Sequence, residues 1–181
     1  MTQGRLIAVV GPSGVGKDSV LAGLHEAMPQ SHLVRRVITR APGLGGEAYQ
    51  AVSVDAFEAM AAAGAFALHW GAHGLHYGIP VTVKHHLDTG TDCLANLSRT
   101  VLAEAAAIFP RCVVLHIAAK PESLVRRLAA RGRETEDEIA RRLAEAEKPL
   151  PPGLDARHVS NDGPLSQTVA RALALLRPAR V

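Results

Sequence analysis

The residues with the clearest chemical potential lie near the start of the chain, in the sequence Gly-Pro-Ser-Gly-Val-Gly-Lys at 11–17. They follow an apolar run at 6–10 and precede a helix-compatible segment that reaches Met28. A strand, a glycine-rich turn and a helix in this order are the context of a phosphate-binding P-loop. Glycines let backbone N–H groups converge on phosphate oxygens, the helix start adds positive potential, and the lysine supplies a mobile charge. The phosphates of a donor nucleotide are therefore expected to contact Gly11, Pro12, Ser13, Gly14, Val15, Gly16 and Lys17.

The residue after the P-loop lysine departs from the usual pattern. Ser or Thr commonly stands there and binds Mg²⁺ through its hydroxyl. This chain has Asp18 instead, and the hydroxyl comes one place later, at Ser19. A carboxylate is a good ligand for Mg²⁺, although an alternative role for Asp18 is to stabilise the helix start by interaction with the helix dipole. We favour metal contact and predict a Mg²⁺ site that includes Asp18 and Ser19.

Arginines outside the P-loop form two groups that are far apart in the sequence. A guanidinium group matches phosphate oxygens with two hydrogen bonds. One group flanks the end of a predicted strand and the other follows a helix, a distribution that predicts an acceptor site and a closing lid. The alternating charges of 134–147 also fit a solvated helix face, to which we assign Arg141. The candidates for phosphate contact are Arg36, Arg40, Arg131, Arg133 and Arg142.

Composition and charge limit the classes of function. The chain has 181 residues, enough for one domain with a sizeable core, and a formal net charge of +3. That mild excess fits a polyanionic small molecule, and it predicts no nucleic-acid partner because a basic stripe and an aromatic stacking set are both missing. No apolar run approaches the roughly 20 residues of a membrane span, and the first residues do not form a signal peptide. Cys93 and Cys112 fall in predicted buried strands and indicate a reducing, cytoplasmic location.

Predicted strands and helices alternate along most of the chain. This alternation indicates an α/β fold with a parallel sheet flanked by helices. Residues 36–90 interrupt it and are a candidate acceptor-binding insertion. We expect one domain over 1–181, with a core at about 1–35 and 91–181 and a short arginine-rich lid at about 131–140.

The local pattern also predicts the bounds of individual elements in the less regular parts of the chain. We expect a strand at 33–38, and a helix at 56–63 that Asp55 caps. Later segments are expected to form a helix at 98–108, an edge strand at 157–160 and a final helix at 165–176.

Several short motifs occur in the same order as in the guanylate kinase family, which this chain resembles over nearly its whole length. Besides the P-loop, they are Ile-Thr-Arg-x-Pro at 38–42, Gly-Glu at 46–47, Tyr-Gly at 77–78, Arg-Leu-x-x-Arg-Gly-Arg-Glu at 127–134 and Asn-Asp at 161–162. The resemblance implies a P-loop kinase fold that carries a lid and an insertion for binding a nucleoside monophosphate.

The resemblance also implies roles for particular side chains. Three of them would bind the acceptor phosphate, three would surround the transferring group, and one would lie near the donor adenine. In that order they are Arg40, Tyr49 and Tyr77; Arg131, Arg133 and Arg142; and Asn161.

Departures from the guanylate kinase pattern concentrate at the positions that read the base. His69 stands where guanylate kinases place a glutamate, and Ile79 stands where they place a serine or threonine. The sequence Asn-Leu-Ser at 96–98, followed by Arg99, replaces their Asp-x-Asp. A site built to hydrogen-bond a group discriminates by roughly 10⁴–10⁵ against a mismatch. Loss of these groups therefore predicts loss of guanine specificity.

A second resemblance accounts for these departures. Asp18-Ser19 and Ala-His-Gly-Leu at 72–75 are the more distinguishing stretches of a set that resembles the ribose 1,5-bisphosphate phosphokinases of phosphonate catabolism. This resemblance implies phosphoryl transfer from ATP, with Mg²⁺, to ribose 1,5-bisphosphate, giving ADP and 5-phosphoribosyl 1-diphosphate. An acceptor with two phosphates and no base suits an anion-holding site. The residues assigned to that site, besides those above, are Arg36, Asn96, Ser98 and Arg99.

Histidines are dense in the middle of the chain, and we expect His73 to line the acceptor pocket. A transition-metal site made by His69, His73 and His76 is disfavoured, because the glycines among them argue against a helix. Two other functions stay open: a guanylate kinase with an altered pocket, and a non-catalytic binding module of the same fold. Such modules tend to lose the P-loop lysine, which is present here. We expect a sugar bisphosphate as the small-molecule partner and a monomer or homodimer.

Overall fold

The computed structural model describes residues 2–177 and contains two sheets. The larger sheet is parallel and has five strands in the order β2-β7-β1-β8-β9. Its strands are β1 (Leu6–Val10), β2 (His32–Leu33), β7 (Cys93–Asn96), β8 (Cys112–Ala118) and β9 (Ala156–Ser160). All five residues of β1 are buried, because a central parallel strand is covered on both faces.

Seven α-helices surround the sheets within the described residues. They are α1 (Lys17–Ala27), α2 (Val54–Ala62), α3 (Thr82–Asp88), α4 (Leu102–Ile108), α5 (Pro121–Arg131), α6 (Glu136–Ala146) and α7 (Leu165–Leu176). On one face of the larger sheet, Ile7 and Val9 belong to an apolar cluster with Leu24 of α1 and Leu176 of α7. On the other face, Ala8 belongs to a cluster with Leu102 of α4. The predicted α/β fold, a parallel sheet flanked by helices, is confirmed.

A second sheet of four strands lies within residues 37–80. Its order is β4-β3-β6-β5, and its strands are β3 (Val37–Ile38), β4 (Gln50–Ala51), β5 (Phe66–Ala72) and β6 (Leu75–Pro80). β5 and β6 form an antiparallel hairpin that pairs Trp70 with Tyr77. Its tight turn consists of His73 and Gly74, both at positive φ (52° and 72°), as a turn matched to the twist of a hairpin requires.

Some local predictions need correction. The strand expected at 33–38 is two short strands in different sheets, β2 and β3, since alternation of side chains does not reveal which neighbour a strand pairs with. The helix expected at 56–63 begins at Val54, and Ser53 rather than Asp55 caps it, accepting from the Ala56 N–H at 3.1 Å. The helix expected at 98–108 begins with a 3₁₀ turn, Arg99–Val101, before α4.

Two predictions near the end of the chain are confirmed. The strand expected at 157–160 is β9, at one edge of the larger sheet, and α7 has the bounds expected for the last helix. Among the helices of residues 2–177, none combines the length and the apolar character needed to cross a bilayer. The division of the chain into core, insertion and lid stays a prediction.

Candidate active site

The P-loop connects β1 to α1 through glycines that hold it in a tight turn. Gly14 and Gly16 adopt positive φ values of 83° and 92°, which side chains with a Cβ rarely tolerate. A Cβ on Gly11 would lie 2.4 Å from the carbonyl oxygen of Ile117 in β8. The loop therefore has a shape that only this glycine pattern permits, and it ends where the first N–H groups of α1 are free of helical partners.

Lys17 is held inside this turn. Its Nζ donates to the carbonyl oxygens of Gly11 at 2.8 Å and Pro12 at 3.2 Å. Burial is the main cause that lowers the pKa of Lys17 to about 8; Asp18 opposes this shift, and the charges of Arg36, Arg131 and Arg99 contribute to it. A buried ammonium among other cations is favoured by a nearby anion, so the cradle fits a polyphosphate.

Asp18 lies between the end of β7 and the loop that contains Gly46. The Asn96 amide, at the end of β7, donates to Asp18 Oδ1 at 3.4 Å. On its other side, a Cβ on Gly46 would lie only 3.3 Å from Asp18 Oδ2. Carboxylate, hydroxyl and amide oxygens are the ligand types that Mg²⁺ prefers, so Asp18 and Ser19, next to each other at the start of α1, are chemically suited to the predicted metal role.

A cavity of about 430 Å³ opens beside the P-loop. Its lining residues are Gly14, Gly16, Ser19, Arg127, Ala130, Arg131, Asn161, Gly163 and Leu165. The Asn161 side chain is buried and uses its amide to donate to the carbonyl of Val15 at 2.8 Å, while its Oδ1 accepts from Thr168 at 2.7 Å. Asn161 thus supports the P-loop as well as lining this cavity, and its proximity to a donor base stays a prediction.

Arg127 is a site residue that the sequence reasoning did not single out. Its Nη1 donates to the Val15 carbonyl at 3.3 Å and its Nη2 to the Asn161 carbonyl at 2.6 Å. Its position four residues before Arg131 on α5 places both side chains on one helix face, and both line the same cavity. That spacing was the signal that could have identified it.

The arginines of α5, α6 and the segment between them are not equivalent. Arg142 Nη1 donates to Ser13 Oγ of the P-loop, and its Nη2 lies 3.4 Å from Glu134 Oε1. Arg131 lines the cavity, whereas Arg133 is exposed and has no hydrogen-bond partner within residues 2–177. Arg141 is exposed, in keeping with its assignment to a solvated face. The structure therefore brings Arg142 and Arg131 to the P-loop and leaves Arg133 outside it.

Several of the residues predicted to bind the acceptor lie on or beside the second sheet: Arg36, Arg40, Tyr49 and Tyr77. Arg36 is buried, forms an ion pair with Glu47, and lies over the ring of Tyr77. Arg40 lies over the ring of Tyr49, 5.3 Å from its centre, and the Tyr49 hydroxyl donates to the Ala41 carbonyl.

Two acceptor candidates are engaged elsewhere, and a third lies at an exposed hairpin tip. Arg99 donates to the carbonyl oxygens of Ala146, at 3.4 Å, and Lys148, so it caps the C-terminal end of α6. Ser98 caps the 3₁₀ turn that follows β7. His73 is exposed at the hairpin tip, near enough to α6 to contribute to the lowered pKa of the Glu145 carboxyl, after Lys148 and Arg99. Contact of Arg99 or Ser98 with an acceptor would require these side chains to change partners, and the contacts of all three residues stay predictions.

The histidines show no metal-binding arrangement. Within residues 2–177, no three His, Cys, Asp or Glu side chains come together in a way that could hold a metal ion. His69 and His76 instead pack beside Phe57, with ring centres 6.2 and 5.4 Å away.

Comparisons with known proteins identify relatives of the chain. The guanylate kinase family model matches residues 3–155. Ribose 1,5-bisphosphate phosphokinase PhnN of Ruegeria sp. (strain TM1040) is 50% identical over 179 residues, which cover 98% of this chain and 94% of that protein. The bifunctional ribose 1,5-bisphosphokinase-thymidine phosphorylase of Cupriavidus necator is 42% identical and covers 96% of this chain, although the match spans 29% of that longer protein.

A comparison of structures gives the same fold. Guanylate kinase from Anaplasma phagocytophilum superposes with a TM-score of 0.71 at 20% identity, covering 98% of this chain and 86% of that one. At that identity the likeness concerns the fold alone, while the relatives with 40–50% identity carry the family assignment. The chain belongs to the guanylate kinase family and, within it, to the ribose 1,5-bisphosphate phosphokinases.

Proposed function

We propose that this protein transfers a phosphoryl group from ATP to ribose 1,5-bisphosphate, forming 5-phosphoribosyl 1-diphosphate and ADP. The observation that carries the proposal is the proximity of two cationic groups: the P-loop holds Lys17, and Gly46, next to the Glu47 that pairs with Arg36, lies against Asp18. The names of relatives that match nearly the whole chain support the same reaction. Cations that lie this close suit two anionic substrates that must approach each other.

The chain's own residues would act by positioning and by neutralising charge. Asp18 and Ser19 would hold Mg²⁺, which would neutralise part of the charge of the γ-phosphoryl group that ATP would supply. Lys17 and the free N–H groups of the P-loop bind phosphate oxygens, and Arg142, already in contact with Ser13, extends the cationic surface over them. Stabilisation of charge by donors fixed in advance is a large contribution to catalysis.

The acceptor needs no general base. Its attacking group is a phosphate oxygen that is already ionised, so the site has no proton to remove. The remaining requirement is to exclude water, which would otherwise hydrolyse ATP. The segment around α6, which contacts the P-loop through Arg142 and the 3₁₀ turn after β7 through Arg99, is suited to that task.

A guanylate kinase activity is the second candidate. The family assignment favours it in general terms, but the positions that would read a base do not offer the required groups. Ile79 is fully buried and apolar, and His69 packs beside Phe57 and Phe66. We therefore propose a sugar bisphosphate rather than GMP as the acceptor. We also propose that the protein acts in the cytoplasm, where ATP is available.

Coupled measurement of ADP release tests the proposal. With saturating Mg²⁺ and ATP, we expect kcat/KM for ribose 1,5-bisphosphate to exceed that for GMP by at least about 10³-fold, because the base-reading hydrogen bonds are missing. The Lys17→Met variant provides the background of uncoupled ATP hydrolysis. A preference for GMP would mean that groups outside the described pocket read guanine, and the proposed acceptor would be wrong.

A further inference from the structure

Arg36 and Glu47 form a buried ion pair on the acceptor side of the cleft. Arg36 Nε donates to Glu47 Oε1 at 2.7 Å, and Nη2 donates to Oε2, so both carboxylate oxygens are used. The two side chains are only 8% and 13% exposed. Because two parallel hydrogen bonds join two planar groups, the pair fixes the orientation of the guanidinium as well as its position.

A stack of aromatic rings supports the same guanidinium. Its central carbon lies 5.0 Å from the centre of the Tyr77 ring and 6.0 Å from that of Trp70. Those two rings are stacked on each other, 5.4 Å apart and 11° from parallel. A cation over an aromatic face is attracted to it, so Arg36 is restrained by Glu47 at its edge and by the rings on its face.

One end of Arg36 remains available. Within residues 2–177, Nη1 forms no hydrogen bond. It is also not one of the fully buried side-chain atoms in those residues that have no hydrogen-bond partner. Nη1 is therefore reached by solvent, and it presents two N–H donors that protein groups do not use. The neighbouring loop leads directly to the cleft, because Gly46, next to Glu47, lies against Asp18.

We propose that Arg36, positioned by Glu47, determines acceptor specificity by binding the phosphate that is not phosphorylated, the 5-phosphate of ribose 1,5-bisphosphate. This inference rests on the proposed function. The 1-phosphate must reach the donor beside Lys17 and Asp18, so the second phosphate needs a cation elsewhere in the cleft. Arg36 is a cation immediately before β3 of the second sheet, and its geometry is fixed before a ligand arrives, which lowers the entropic cost of binding.

Calorimetric titration with two half-substrates tests the inference without requiring turnover. Ribose 5-phosphate carries the 5-phosphate alone, and ribose 1-phosphate carries the 1-phosphate alone. Arg36→Met should weaken binding of ribose 5-phosphate by about 30- to 100-fold, as expected for lost hydrogen bonds to a charged group. The same variant should change the binding of ribose 1-phosphate by less than about threefold, because this ligand carries no 5-phosphate. Equal losses for both ligands, or no loss for ribose 5-phosphate, would overturn the inference.

Turnover separates this inference from the proposed function. If the unmodified protein binds ribose 5-phosphate through Arg36 but does not phosphorylate ribose 1,5-bisphosphate, the proposed function fails and the phosphate subsite stands. If the unmodified protein does phosphorylate the bisphosphate, the proposed function stands. The subsite then fails if Arg36→Met raises the KM for the bisphosphate by no larger a factor than that by which it weakens binding of ribose 1-phosphate.

The positioning role of Glu47 has its own readout. Glu47→Gln should raise KM for the bisphosphate about tenfold and leave kcat nearly unchanged, since the guanidinium is retained but less firmly oriented. Arg5→Met is the matched control, because Arg5 forms a similar two-point pair with Asp92 at the opposite end of β1. A similar rise of KM in Arg5→Met would show that Glu47→Gln acts through general loss of stability and would exclude the positioning role.

Discussion

The two groups of residues that we assign to the donor side and to the acceptor side of the site are built in different ways. On the donor side, Lys17, Arg127 and Asn161 all donate to carbonyl oxygens of the P-loop or its supports, so the backbone fixes the cationic groups. On the acceptor side, Arg36 is fixed by other side chains, those of Glu47, Tyr77 and Trp70. A site fixed by backbone keeps one geometry for one ligand class, whereas a site fixed by side chains can change specificity through substitutions on a constant fold.

The largest effect that separates the two sides is expected from Lys17→Met. Removal of the ammonium should lower kcat/KM by at least about 10³-fold, because a fixed donor to the developing charge is lost. Binding of ribose 5-phosphate, which we assign to the acceptor side, should be retained in calorimetric titration. Loss of both properties together would mean that the two sides do not act as separate units.

Arg142→Met should have the next largest effect. We expect kcat to fall about 10²- to 10³-fold, since Arg142 is the α6 arginine that contacts the P-loop. Arg141→Met is the matched control: it is adjacent on the same helix, exposed, and expected to leave steady-state kinetics unchanged. Equal effects of the two substitutions would indicate that α6 contributes only its overall charge.

Asp18→Asn tests the residue that contacts both sides. Loss of one negative charge should raise the Mg²⁺ concentration for half-maximal rate about tenfold, if Asp18 is a ligand. The variant keeps an oxygen near Asn96 and Gly46, so the packing should change little. An unaltered Mg²⁺ requirement would instead support a role for Asp18 at the helix start, and a thermal melt would detect the accompanying loss of helix stability.

The smallest effect concerns the pH dependence of stability without ligand. Lys17 has an ordinary pKa of 10.5, but burial lowers it to about 8 in the folded protein. Between these values the unfolded chain binds more protons, so the contribution of Lys17 to the free energy of unfolding rises with pH from about 8 to 10.5. The cost of the buried charge is greatest below pH 8, where Lys17→Met should raise Tm by a few degrees.

The difference between two melting curves isolates that contribution. Burial also raises the pKa values of Cys93 to about 12 and Cys112 to about 11, and these thiols act in the opposite direction above pH 9. Both are present in the unmodified protein and in Lys17→Met, so their effects cancel in the difference. If the difference in Tm between Lys17→Met and the unmodified protein did not decrease between pH 8 and 10, the pKa of Lys17 would not be lowered by burial.

The sequence was most informative where function depends on adjacent residues. The P-loop, its strand and its helix were predictable because a glycine pattern and two periodicities specify them over about 25 residues. Arg142 was identified from charge type, although its contact with Ser13 crosses 129 positions of the chain.

Features made by distant pairs were not predictable. The pairing of Arg36 with Glu47 depends on β3 lying beside β4, with Val37 opposite Gln50, and no local pattern reveals this register. The use of Arg99 to cap α6 is of the same kind, since its partners follow it by 47 and 49 positions. In both cases the contact with phosphate stays a prediction, and the protein partner could not be known from the sequence.

The place of β1 in the sheet has a consequence for synthesis of the chain. β1 is synthesised before its partners β7 and β8, and Gly11 packs against Ile117 of β8. The phosphate cradle therefore cannot be completed until the chain has emerged as far as residue 118. During that interval the apolar strand Leu6–Val10 has no sheet partner, so the nascent chain depends on continued elongation, or on a chaperone, to avoid aggregation.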